Sequence, residues 1–283
     1  MKRIFIFALV SFWFSGAAFA VTNGKVIMAK GVVTATNSAQ ASRTLAKGAE
    51  VNEGDVINTA NKSFAVIRMI DNTKLTLKPN TTIAVGEFNT KEGEESGCVN
   101  LVKGGLRTVT GLIGQKRPEA FQVDTPIASI GIRGTDFILR ICAEDECIED
   151  ERQYFGSEYE LVEEPTLPEA TNAELPQGLY SSCETGVIAV SQCAGQIQDF
   201  ELGKCRINQQ RDCTTIELQA GQAGYVGYGA EAMDDTIGVL PLVPHILKQD
   251  PHFQLSELSD DKLELIELFK DEFSTEDQCV IGQ

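Results

Sequence analysis

From Lys25 to about Cys142 the apolar positions fall in short runs closed by turn residues. Phe64 to Ile70 ends at Asp71-Asn72. Leu75 to Leu77 ends at Pro79-Asn80, and Ile83 to Val85 ends at Gly86. Gly48, Gly54-Asp55, Gly93, Gly97 and Gly104-Gly105 punctuate the rest. Runs of this length between Gly, Asp and Asn predict strands, and their close spacing predicts an all-β sandwich, roll or solenoid. No stretch of this half has a 3.6-residue apolar period, so little helix is expected.

The pattern breaks between Ala143 and Gln177, where twelve acids face one Arg and prolines stand at 165, 168 and 176. Such a segment buries too little apolar surface to offset its ordering entropy and is read as an acidic insertion loop. Strand patterning then resumes. Gly178 to Cys183, a Glu-Thr-Gly turn and Val187 to Val190 predict a hairpin, followed by Thr215 to Leu218, an Ala-Gly-Gln turn and Ala223 to Val226. Pro241, Pro244 and Pro251 mark a connector within 230–283. Beyond it a C-terminal α-helix is expected. Ser259 caps it, Asp260 and Asp261 complement its dipole, and Leu258, Leu265, Ile266, Phe269 and Phe273 share one face. That stripe reads as a face docked on its own domain or, alternatively, as a partner-binding helix.

Charge and cysteine place the chain in a compartment. Lys2 and Arg3 precede an apolar run ending at Phe14, and Ala18-Phe19-Ala20 has the small-x-small form of a cleavage site. Residues 1–20 are therefore expected to be a signal peptide, leaving an exported chain, periplasmic or secreted, without a transmembrane segment. Eight cysteines, all beyond that segment, agree with an oxidising compartment and a disulfide framework. The net charge of −17 is unevenly spread: residues 23–142 hold 15 Lys and Arg against 11 acids, residues 143–283 hold 7 against 30. A chain this acidic is not expected to bind nucleic acid through bulk charge.

Catalytic chemistry finds little to work with. The only histidines, His245 and His252, lie in the connector, which removes triad and His-based zinc arrangements from the β region. No Cys-x-x-Cys pair, phosphate loop or EF-hand loop occurs, so no enzyme activity, cofactor or metal is expected. A short spacing favours a Cys142–Cys147 bridge, and a turn at Asn208-Gln209-Gln210 would bring Cys205 to Cys213. An extended strand from Val187 to Gln192 would carry Cys193 away from Cys183, and a Cys98–Cys279 bridge would tether the tail.

The run Thr125-Pro126-Ile127-Ala128-Ser129-Ile130-Gly131-Ile132-Arg133-Gly134-Thr135-Asp136-Phe137 closely resembles the signature of the FecR domain. Four further segments match the family in order: Leu45 to Thr59, Phe64 to Leu77, Leu101 to Arg107, and the closing strands Gly186 to Ser191 with Leu218 to Val226. The resemblance covers Gly24 to Gly229 and implies one FecR-like β domain over 21–229. It implies the extracytoplasmic recognition module of sigma-factor regulators, here directly after a signal peptide and with no cytoplasmic segment ahead of it. The function implied is a non-catalytic interaction or sensing module of the cell envelope, with an outer-membrane receptor as the partner class. A structural or adhesive module that binds carbohydrate or cell-wall material is the alternative. Within the signature, Arg133, Gly134, Thr135, Asp136 and Phe137 are the candidate residues. Two roles stay open for Arg133: satisfying buried carbonyls or pairing with Asp136 or Asp124 inside the fold, or presentation to an anionic partner group.

Overall fold

In the computed structural model, the described residues are 21–143, 147, 177–194, 199–206, 212–227 and 237–248. The expected signal peptide, most of the acidic insertion and the helix expected from Leu258 to Phe273 lie outside them. Strands dominate, as the short apolar runs predict. They are β1 (Thr22–Lys30), β2 (Val33–Thr36), β3 (Ser42–Thr44), β4 (Glu50–Asn52) and β5 (Val56–Thr59). Then come β6 (Phe64–Met69), β7 (Lys74–Leu77), β8 (Thr82–Asn89), β9 (Ser96–Val109) and β10 (Phe121–Asp124). The set closes with β11 (Ser129–Cys142), β12 (Gly178–Cys193), β13 (Cys213–Gln219), β14 (Ala223–Gly227) and β15 (Ile237–Leu240). Among the described residues, helix is limited to α1 (Leu112–Lys116), a 3₁₀ turn at Pro118–Ala120, Cys147 and one turn at His245–Lys248.

All fifteen strands join one open sheet, ordered β15-β14-β12-β11-β10-β9-β7-β6-β1-β4, with β8, β5, β2 and β3 branching from β9 and β13 from β12. β9 is shared by both halves. Its first part pairs with β8 and β10, and its second part with β7 and β11. The switch falls at Gly104, whose φ of +84° suits a residue without Cβ. The curled sheet wraps a single apolar interior to which nearly every strand contributes alternate residues, including Ile67, Leu75, Leu101, Leu106, Phe137, Leu139 and Ile188. One loop anchors α1: the Asp71 carboxylate accepts the Thr73 N–H at 2.9 Å and the Ile113 N–H at 3.3 Å.

The hairpin expected between Gly178 and Val190 is not formed. That stretch is one continuous strand, because both of its halves are paired on both sides: β11 runs along one edge, and β14 then β13 along the other. Gly186, at φ +78°, absorbs an irregularity where a turn is expected. The Ala-Gly-Gln turn does form: the Gln222 N–H reaches the Gln219 carbonyl at 2.9 Å. No helix among the described residues is long and apolar enough to cross a membrane.

Candidate functional site

The signature folds into the β10–β11 hairpin and the strand beyond it. Thr125 organises the turn. Its N–H and its hydroxyl both donate to the Ala128 carbonyl, at 2.9 and 2.8 Å, and the hydroxyl oxygen accepts the Ile127 and Ala128 N–H groups. Pro126 therefore sits inside the turn rather than at a strand start, where its preset φ and missing donor cost the ladder nothing. β11 then pairs with β10 and β12, burying Ile130 and Ile132 in the interior and directing Ser129, Gly131 and Arg133 outward.

A bulge follows. The β11–β12 register shifts between Arg133 and Asp136, where Gly134 takes φ +60°. Across the ladder, a Cβ on Gly186 would lie 2.8 Å from the Arg133 carbonyl, so glycine permits a close backbone approach there. The extra residue changes side-chain parity. Before the bulge odd-numbered residues point outward; after it Asp136, Ile138 and Arg140 do, while Phe137 and Leu139 enter the interior. Thr135 is held at the bulge by Thr110, whose hydroxyl accepts the Thr135 N–H and donates to its carbonyl, both at 2.9 Å.

The charged partners differ from those expected for Arg133. Asp136 is gripped by Arg107, through Nε at 2.8 Å and a terminal nitrogen at 2.6 Å. Asp124 is held by Arg206, through Nε at 3.1 Å and the backbone N–H at 3.0 Å. Arg206 also lies 5.8 Å above the Phe200 ring. Arg133 pairs with neither carboxylate; it is exposed and forms no ion pair among the described residues. The bulge is the reason, since it places Arg133 on the solvent side while guanidiniums from β9 and from the 199–206 segment reach the acids. Neither of those arginines was marked by its sequence neighbours, because each meets its acid from a distant segment.

Beside Arg133 lies an open groove of ≈ 510 Å³. Its floor is one register row across four strands: Gln122, Gly131, Ala189 and Glu217. Gly131 and Ala189 are small, so the floor is a trough walled by Arg133 and Val187 on one side and by Glu119 from the 3₁₀ turn. The Glu119 carboxyl is held below the usual carboxylate range by its own backbone N–H first and by Arg117 second. Along the far side runs β13, which among the described residues pairs with β12 alone. The Cα atoms of Cys193 and Cys213 are 4.0 Å apart, a narrow, non-hydrogen-bonded pair. By alternation Thr215 and Glu217 aim their backbone N–H and C=O groups away from β12. Gln219 obeys the same rule, its outward N–H and C=O being taken by Gln222.

The cysteines bridge differently from two of the expectations. Cys142 joins Cys147, with Cα atoms 5.4 Å apart. Cys205 joins Cys98 (Cα–Cα 5.6 Å) and not Cys213, which joins Cys193. The 199–206 segment crosses back over β9, where Asn100 accepts the Gly203 N–H at 2.5 Å and donates to the Lys204 carbonyl at 2.9 Å. That return path puts Cys205 beside Cys98, so the expected Cys98–Cys279 tether does not form. Cys183 is a buried free thiol. Among the described residues no three His, Cys, Asp or Glu side chains gather into a metal-binding group.

A curled all-β module with one sequence-marked hairpin and a solvent-open face is the class these features define. Residues 55–149 match the family described as FecR protein. This stretch contains the signature, β6, β7 and β9 whole. Two solved structures are similar in part, both of a candidate anti-sigma factor from Parabacteroides distasonis ATCC 8503. One has a TM-score of 0.38 at 13% identity over 65% of this chain and 58% of that chain; the other has 0.37 at 14% over the same shares. The chain thus spans less than two thirds of the length of the structures it resembles. No curated protein matches it.

Proposed function

We propose that this protein is an exported, non-catalytic FecR-domain module that binds another protein of the cell envelope, with an outer-membrane receptor as the partner class. The reading rests on one observation: within a signature whose other side chains mostly serve the interior or the bulge, Arg133 stands exposed at the rim of an open groove. A guanidinium there is free to meet a carboxylate bidentately. The outward N–H and C=O groups of Thr215 and Glu217 suit an added strand beside β13, at the edge of the groove. Three disulfides among the described residues support export, since such bonds persist in oxidising compartments. The carbohydrate alternative has less support, because the one aromatic residue lining the groove, Phe121, is buried and offers no stacking surface.

Capture from an envelope extract tests the reading. Wild type is expected to retain one protein partner, and Arg133→Ala to lose it by at least about tenfold, as for an interface hot spot. The variant should keep its dichroism and melting temperature. Equal capture by the variant, or its unfolding, overturns this role for Arg133.

A further inference from the structure

The outer side of the sheet carries a second buried wall. One register row runs across it from β1 to β15: Met28, Val66, Thr76, Arg107, Ile138, Ser182, Ala223 and Leu240. These residues point away from the main interior, because their strand neighbours Ala65, Ile67, Leu75, Leu106, Phe137 and Leu139 fill it. An uncovered outer face would be wet, yet Val66 is 0% exposed, Met28 3% and Phe64 5%. At the β11–β14 end the cover is visible: Ile246 and Leu247 of the last helical turn pack with Ile138, Tyr180 and Ala223. At the β1–β6 end, Met28, Phe64 and Val66 form an apolar cluster whose only other apolar member among the described residues is Ile27.

We propose that the chain's own C-terminal segment, residues 249–283, lies across this outer wall and seals the Met28–Phe64–Val66 cluster. Three features of the chain point to that occupant. The segment starts directly after Lys248, so its entry point is already fixed on the wall by Ile246 and Leu247. From β14 to β1 is six strand spacings, about 29 Å at ~4.8 Å each. The segment covers that distance easily at ~3.3 Å per extended residue. Its apolar residues Leu258, Leu265, Ile266, Phe269 and Phe273 supply matching surface.

Charge adds a fourth argument. Next to the apolar cluster one cross-strand row holds Glu50, Lys25, Arg68 and Lys74 on β4, β1, β6 and β7, three cations to one acid. Like charges in one cross-strand row repel. The Lys74 ammonium is held below its usual range by burial first and by Arg68 second. A tail that carries Glu257, Asp260, Asp261, Glu264, Glu267 and Asp271 among its apolar residues offsets this row. The acidic insertion has comparable charge, but its prolines break any long apolar stripe.

Zero-length carboxyl–amine crosslinking of the full mature chain decides the occupant. An equimolar mixture of ¹⁴N- and ¹⁵N-labelled protein separates links within a chain from links between copies. The expected result is links within one chain from Lys25 or Lys74 to carboxylates between residues 257 and 272. Links from those lysines only to residues 144–174, links only between copies, or none to either lysine would overturn the proposal. In the full chain, Phe269→Asp with Phe273→Asp should raise binding of a hydrophobic dye several-fold while far-ultraviolet dichroism stays that of a β protein. Unchanged dye binding counts against the proposal.

Discussion

Arg107 and Asp136 face each other over the signature bulge with their side chains only 5% and 15% exposed. A buried pair like this adds little net stability when intact, but removing one charge strands the other. Asp136→Asn is expected to cost about 3 kcal/mol. In a domain of this size that is a fall in melting temperature of roughly 6–12 °C, read by calorimetry. Cys183 makes a different forecast. Burial raises its thiol from 9.0 to about 11. The protonated form is favoured in the fold, so its contribution to stability is intact below pH 9 and is lost as pH rises toward 11. Urea-derived stability should fall across that window, and less steeply in Cys183→Val. Iodoacetamide at pH 8 should leave Cys183 unmodified until denaturant is added. At this scale the sequence marks Thr125 to Phe137 well but not the partners of Asp136 and of the adjoining Asp124, because Arg107 and Arg206 arrive through pairing and loop return.

Among the elements, the strands from β5 to β9 and the Gln219–Gln222 turn follow from alternation and turn chemistry. The β12 hairpin does not, since Glu184-Thr185-Gly186 resembles a turn locally and only two-sided pairing shows that it continues straight. Disulfide connectivity fails for a related reason. Cys98 and Cys205 are 107 residues apart, and nothing near either one reports that the 199–206 segment crosses β9. That bridge closes the longest of the three loops, so chain-entropy reasoning gives it the largest effect, about 5 kcal/mol. A Cys98→Ser, Cys205→Ser double variant should lower the urea midpoint more than the matching Cys142, Cys147 variant, whose loop spans five residues. Equal shifts would show that the long loop is held by Asn100 and the Arg206–Asp124 pair rather than by sulfur.

For the molecule as a whole, the all-β class is legible because short apolar runs and turn residues agree along the first half of the chain. The two-sided use of the sheet is less so. Val66 lies within a short apolar run, Phe64 to Ile67, and such a run is what a strand buried on both faces requires. The run therefore carried the signal, but only the ladder shows that Val66 shares an outward row with Arg107 and Ile138.

β9 has the largest mechanical consequence. Because a single fourteen-residue strand belongs to both halves of the sheet, neither half can swing about the other without breaking its ladder. A load taken up at the Arg133 rim would travel along that common beam to β8 and β5. The module should transmit strain as a stiff plank does, by tilting as one piece, since β9 offers no joint at which to fold.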